Sequence, residues 1–245
     1  MKITMMVTMT VLDVLNAQAK QRVEAAAGSL ETRPTIAIHI YDYADVDPQT
    51  LIEAEKVTSS IFRKAGVESR WPDSGPAKQG IPWNNASPQF AEVADIQLDI
   101  LPGSMADRLG LPDDVMGLAP GSEPGRHLAY VFYNRVESLA GRQMQKRVHG
   151  NICGSASAAQ VLGHVIAHEI GHLLLNLQTH SDTGIMRGDW DGRMLQDACY
   201  GYLLFTPQQA EVMQAEAHRR LIEVGASGWK REAAATTDRV IIALK

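Results

Sequence analysis

The 245-residue chain has only two cysteines, Cys153 and Cys199, no apolar run of eighteen residues, and no stripe of basic side chains. Two cysteines cannot build a disulfide framework, and their separation lacks the close pairing of a structural zinc site. A single bridge between them would tie the start of a helix expected at 157–176 to the segment after it and would call for an oxidising compartment; two buried thiols are the other reading. Without a long apolar run there is no membrane-spanning helix. A net charge of −5 with scattered Lys and Arg leaves no electrostatic footprint for nucleic acid or an anionic membrane. The 45% hydrophobic share does suffice for one domain with a sizeable core.

At the N-terminus, Lys2 precedes the largely apolar 3–12, and Ala17-Gln18-Ala19 has the small-residue spacing of a signal cleavage site. This predicts export, either secreted or periplasmic. Asp13 interrupts the pattern, and an amphipathic starter helix or a true start further upstream would explain the same residues. Met5, Met6 and Met9 read as apolar fill.

Farther along, Thr35–Tyr41 is rich in β-branched residues and predicts a strand. Leu51, Ala54, Val57, Ile61 and Phe62 recur at helical spacing between Asp47-Pro48 and Gly66. Residues 67–71 predict a second strand, and the proline-rich 72–90 a loop. Ile96, Leu98 and Ile100 alternate with polar residues as in a half-buried strand. The Gly- and Pro-rich stretch 103–126 contains a candidate edge strand at 115–119, where Pro120 is tolerated. A firmer strand follows at 127–133, then a polar connection at 134–152, the main helix, an irregular segment at 177–205 and a helix over 206–224. The last residues, 225–245, read as a tail.

The main helix opens with Ser157-Ala158-Ala159-Gln160, a capping-box pattern. It is apolar on all sides, which predicts burial through the middle of the molecule. Within it lies His168-Glu169-Ile170-Gly171-His172. A four-residue interval puts both imidazoles on one face, one turn apart, where two nitrogens can reach one zinc ion. Buried His and Glu side chains are costly to desolvate without a partner, and a metal provides one. With three protein ligands, zinc keeps a position for water and lowers its pKa to about 7. Glu169 is the candidate general base, taking the proton and returning it to the leaving amine of a peptide.

Residues 173–186 read Leu-Leu-Leu-Asn-Leu-Gln-Thr-His-Ser-Asp-Thr-Gly-Ile-Met. Together with the preceding motif this resembles the metzincins, metallopeptidases whose helix carries two histidines, turns, presents a third histidine and later passes a methionine beneath the metal. The resemblance implies His180 as third ligand beside His168 and His172, and Met186 as the methionine of the turn. It also implies one catalytic Zn2+, peptide or protein substrates, and an α/β (α+β) zincin-like fold over 34–224: a twisted mixed sheet, an active-site helix and a small C-terminal helical part. Residues 1–33 would be a signal peptide or extension, and 115–119 the edge along which substrate lies.

The usual pattern has glycine three residues after the second histidine and the last histidine three residues later, whereas this chain has Leu175 and Gln178 there. A helix one residue longer makes Asn176 the turning residue, since asparagine follows glycine in tolerance of a left-handed backbone. Asp182 and Asp197 are the alternative third ligands. Glu211 and Glu216 read as solvated helix positions.

His164 precedes His168 by one turn, but it would lie about 12 Å along the axis from His172, too far to share the ion with both. It reads as a hydrogen-bonded core histidine or one supporting a ligand. His39, His127, His149 and His218 have no ligand-like spacing and read as structural or surface residues. Tyr200 and Tyr202 are expected to pack against the final helix, and Arg187 and Trp190 to anchor a loop, with lining of the cleft as the other reading. A catalytically silent zinc-binding domain that recognises peptides, or an interaction protein with an accidental motif, are the competing functional classes.

Overall fold

Two hydrophobic strands, side by side, form the core of the sheet. β1 (Thr35–Asp42) places Ile36, Ile38 and Ile40 on its buried face, and β3 (Ala94–Leu101) does the same with Ile96, Leu98 and Ile100. The two pair in parallel, with Ile38 opposite Ile96. β2 (Glu68–Arg70) adds parallel to the far side of β1, and β5 (Leu128–Phe132) parallel to β3. β4 (Gly117–Leu118) closes the row antiparallel to β5, making a five-stranded mixed sheet in the order β2-β1-β3-β5-β4. The computed structural model describes residues 33–72, 94–120, 127–145, 156–177 and 179–224, apart from the side chains of Ala94 and of 143–145. The chain falls into two units, 1–33 and 34–245, and the sheet and its helices belong to the second.

Helix α1 (Pro48–Lys64) starts where Asp47 accepts the Thr50 N–H, with proline in the first turn, where its missing donor costs nothing. It packs against α4 (Ala158–Leu175), the main helix, whose capping box forms as its sequence predicts: Ser157 Oγ accepts from Gln160 N, and Gln160 Oε1 accepts from Ser157 N. Gly163 allows the close crossing, because a Cβ there would lie 2.7 Å from the Ala54 carbonyl oxygen. Thr58 Oγ lies 2.9 Å from both the Ala54 and Gly163 carbonyls at this crossing. Val161, Leu162, Ile166, Ile170 and Leu174 are fully or almost fully buried, so α4 lies in the core. No described helix is long and apolar enough to cross a membrane.

Three segments depart from their expected form. The connection at 134–152 contains α3 (Tyr133–Gln145), because Val136, Leu139 and Ala140 form a narrow apolar face with helical spacing that the surrounding polar residues obscure. The segment 177–205 contains α5 (Gly192–Tyr200), started by Asp191, which accepts from Arg193 N and Met194 N, and stopped by Gly201 at φ 72°. The stretch after β3 begins with a short helix, α2 (Gly103–Arg108), and the edge strand covers 117–118 instead of 115–119. A final helix, α6, runs over 207–224. Almost all of the loop expected at 72–90, together with His149, Cys153, the N-terminal segment through residue 32 and the tail 225–245, lies outside the described residues. Cys199 is disulfide-bonded.

Candidate metal centre

Helical periodicity brings His168 and His172 together, with ring centroids 4.8 Å apart. Asn176 then ends α4 in the left-handed region at φ 51°, the conformation that lets the chain turn back. The returning segment carries His180 to within 5.3 Å of the His168 ring and 5.1 Å of the His172 ring, centroid to centroid. One ligand nitrogen from each of the three lies within 4.8 Å of the others, so the group could hold a metal ion. It is the one such group among the described residues, and neither Asp182 nor Asp197 belongs to it. Asp197 sits on α5, where its main-chain carbonyl accepts from Tyr202 N and Leu203 N.

The segment after His180 is held as a compact turn. Ser181 N donates to the Met186 carbonyl at 2.9 Å, Gly184 adopts φ 72°, and Ile185 N donates to the Leu204 carbonyl at 2.9 Å. Met186 is buried against α4 at Gly171, where a Cβ would lie 2.7 Å from its sulfur. The Ile185 carbonyl accepts from His168 Nδ1 at 2.7 Å, and the Leu177 carbonyl accepts from His172 Nδ1 at 2.8 Å. A carbonyl oxygen can only accept, so both Nδ1 atoms carry hydrogen and, in neutral rings, both Nε2 atoms present lone pairs. Those two Nε2 atoms lie 3.1 Å apart.

Burial makes the neutral form the stable one. The His168 imidazole is held down to about 3, first by burial and then by the nearby His172 and His180 rings, against the opposing pull of the Ile185 carbonyl. Burial likewise lowers His172, with His180 adding to it. Two neutral rings facing each other through lone pairs at this distance repel unless a cation sits between them. Tetrahedral coordination at 2.0–2.1 Å separates ligand nitrogens by about 3.3 Å, close to what is seen. The donor set therefore fits a metal ion.

Glu169 points from the same helix toward the sheet edge. It is 6% exposed, and burial alone pushes its carboxyl up to about 8. It packs against Gly117 of β4. Trp190 stands edge-on to His168 with ring centroids 6.1 Å apart. Gly188 lies against His180, since a Cβ there would be 2.8 Å from Nδ1. Arg187 pairs with Asp191 at 3.7 Å.

A search against protein-family models and one against curated proteins both find no match. The site therefore stands on its own geometry.

Several histidines and neighbours stay apart from the triad. His164 is buried and bonds the Gln160 carbonyl through Nδ1, one turn back along α4. His39 is buried beside Asp95, and His218 bonds the Gln214 carbonyl within α6. Tyr200 and Tyr202 do not pack inward: they are 46% and 73% exposed and stack on each other, because Gly201 turns the chain outward between them. Glu216 is not a solvated helix position. It is buried in an ion pair with Arg220 at 2.8 Å, and Arg220 also donates to the Leu173 carbonyl at the C-terminal end of α4. Sequence reasoning does not find Gly117, Gly188 or Arg220 as neighbours of the site. A glycine inside a strand is the one available signal, since it often marks a close approach.

Proposed function

We propose that this chain is a metzincin-like, zinc-dependent metalloendopeptidase with His168, His172 and His180 as metal ligands and Glu169 as general base. The observation that carries the reading is the 3.1 Å approach of two imidazole lone pairs, with both Nδ1 atoms committed to main-chain carbonyls and a buried carboxyl on the adjacent helical position. Neutral imidazole is a preferred zinc donor, and a three-histidine set leaves a position open for chemistry. Bound by these three histidines, zinc would supply Lewis acidity toward a carbonyl and would acidify water.

The chain's own groups supply the rest. The main-chain carbonyls of Ile185 and Leu177 hold the two imidazoles in the tautomer that directs Nε2 inward. In its ionised form Glu169 accepts a proton at its carboxylate and delivers it to the leaving amine. Among the described residues β4 is the terminal strand of the sheet, and an extended peptide adding to its outer edge would lie beside Glu169. The disulfide at Cys199 supports an exported protein, because such bonds persist in oxidising compartments.

The test is metal analysis combined with hydrolysis of a mixed peptide library. The full chain should hold about one zinc and cleave internal peptide bonds, and Glu169→Gln should keep the metal while losing cleavage. A protein that binds no zinc sinks the reading. Zinc retention with equal hydrolysis in Glu169→Gln would remove the base, and zinc retention without hydrolysis in the wild type would favour a silent peptide-binding domain.

A further inference from the structure

The geometry points to Gly117 as a positioning residue for Glu169: the missing side chain on β4 is the space that the carboxylate occupies. The inference rests on the proposed role of Glu169. An ideal Cβ at Gly117 would lie 2.5 Å from Glu169 Cγ, 2.5 Å from Oε1 and 2.6 Å from Cδ, so the whole carboxyl arm rests on the strand's main chain. Any side chain there must displace either the strand or the carboxylate.

The strand is the better anchored of the two. Gly117 and Leu118 pair with Val131 and Tyr130, and Phe132 N donates to the Met116 carbonyl at 2.8 Å. Arg135, whose side chain is only 10% exposed, donates to the Val115 carbonyl at 2.9 Å, to Leu111 at 3.1 Å and to Pro112. One guanidinium thus pins the three carbonyls that lead into β4. Among the described residues nothing donates a hydrogen bond to the Glu169 carboxyl, so packing holds it, and Gly117 lies directly against it. A methyl at 117 therefore moves the carboxylate and leaves the histidine triad, whose ligands are on α4 and at His180, in place.

The experiment is a double-mutant cycle on the full chain, measured metal-free by thermal unfolding and zinc-loaded by metal content and peptide hydrolysis. Gly117→Ala should lower the melting temperature by roughly 5 °C when Glu169 is present. In a Glu169→Ala background, where the carboxyl arm is gone, the same change should cost little. Gly141→Ala, on α3 with open space around it, should not lower the melting temperature and so serves as the control for a methyl that meets nothing. Zinc-loaded Gly117→Ala should keep about one zinc and lose about a hundredfold in kcat with little change in KM, as a misplaced catalytic group does.

Equal destabilisation in both backgrounds would overturn the inference, because the strand and not the carboxylate would then be what the methyl disturbs. Loss of folding in both backgrounds overturns it in the same way, whereas loss only with Glu169 present supports it. Full kcat in Gly117→Ala would also overturn it. A wild type without peptidase activity defeats the functional reading alone, and the stability cycle still decides whether Gly117 positions Glu169.

Discussion

His168 Nε2 and His172 Nε2 face each other at 3.1 Å while the Nδ1 of each ring donates to a main-chain carbonyl. The arrangement places two lone pairs in contact, so a bound cation should contribute directly to stability. At a free zinc concentration a hundred times the dissociation constant, the gain is about 2.7 kcal/mol. Stripping the metal with a chelator should lower the melting temperature by roughly 5–10 °C. His168→Ala and His172→Ala should abolish that chelator-sensitive shift, read by scanning calorimetry with and without zinc.

Metal-free stability should depend on pH through Glu169. Its carboxyl is pushed from the ordinary 4.5 to about 8 in the folded state, so between these values the folded chain holds a proton that the unfolded chain has released. Stability therefore falls as pH rises through this window, by on the order of 1 kcal/mol per unit. Glu169→Gln cannot ionise and should lack this loss, so its advantage over the wild type should grow from pH 4.5 to 8 in urea unfolding. His168 works in the opposite direction in both proteins: held down to about 3, it costs stability as pH falls below 6.5, where the unfolded chain takes up the proton. A wild type and variant that track each other across this window would remove Glu169 from the account.

Asn176 ends the helix at φ 51°, a region that β-branched side chains resist. Asn176→Val should cost about 1–2 kcal/mol, and Asn176→Gly should be close to neutral. Since the same residue turns the chain toward His180, zinc affinity should follow this order when titrated against a competing chelator.

Arg220 and Glu216 are 2% and 7% exposed at their side chains, so water screens their pairing little. Replacing Arg220 with Met leaves Glu216 buried and the Leu173 carbonyl unmatched, at a cost of about 3 kcal/mol in denaturant midpoint analysis. The cost is at the low end of the range for broken buried pairs because Arg219 also contacts Glu216 at 2.7 Å. Changing Glu216 to Leu at the same time should recover much of that loss, while the Leu173 carbonyl stays uncapped.

Features with a short repeat are legible in the sequence. The capping box at Ser157 and Gln160, the burial of α4, the i,i+4 placement of His168 and His172, and the turn at Asn176 each depend on residues within about one helical turn, where backbone geometry alone sets the spacing. The alternating isoleucines of β1 and β3 likewise announce their buried face. α3 and α5 are less legible because their apolar faces are narrow and interrupted by polar residues. Which distant groups meet is decided only by tertiary packing. His180 joins the triad while Asp182 and Asp197 do not, because the turn closed by Ser181 and Met186 brings its ring beside those of His168 and His172. Gly117 meets Glu169 across fifty-two residues of chain, and Arg220 meets the Leu173 carbonyl across forty-seven. Periodicity fixes a side chain's direction on its own element, but its partner depends on how sheet and helices pack, and no local spacing encodes that.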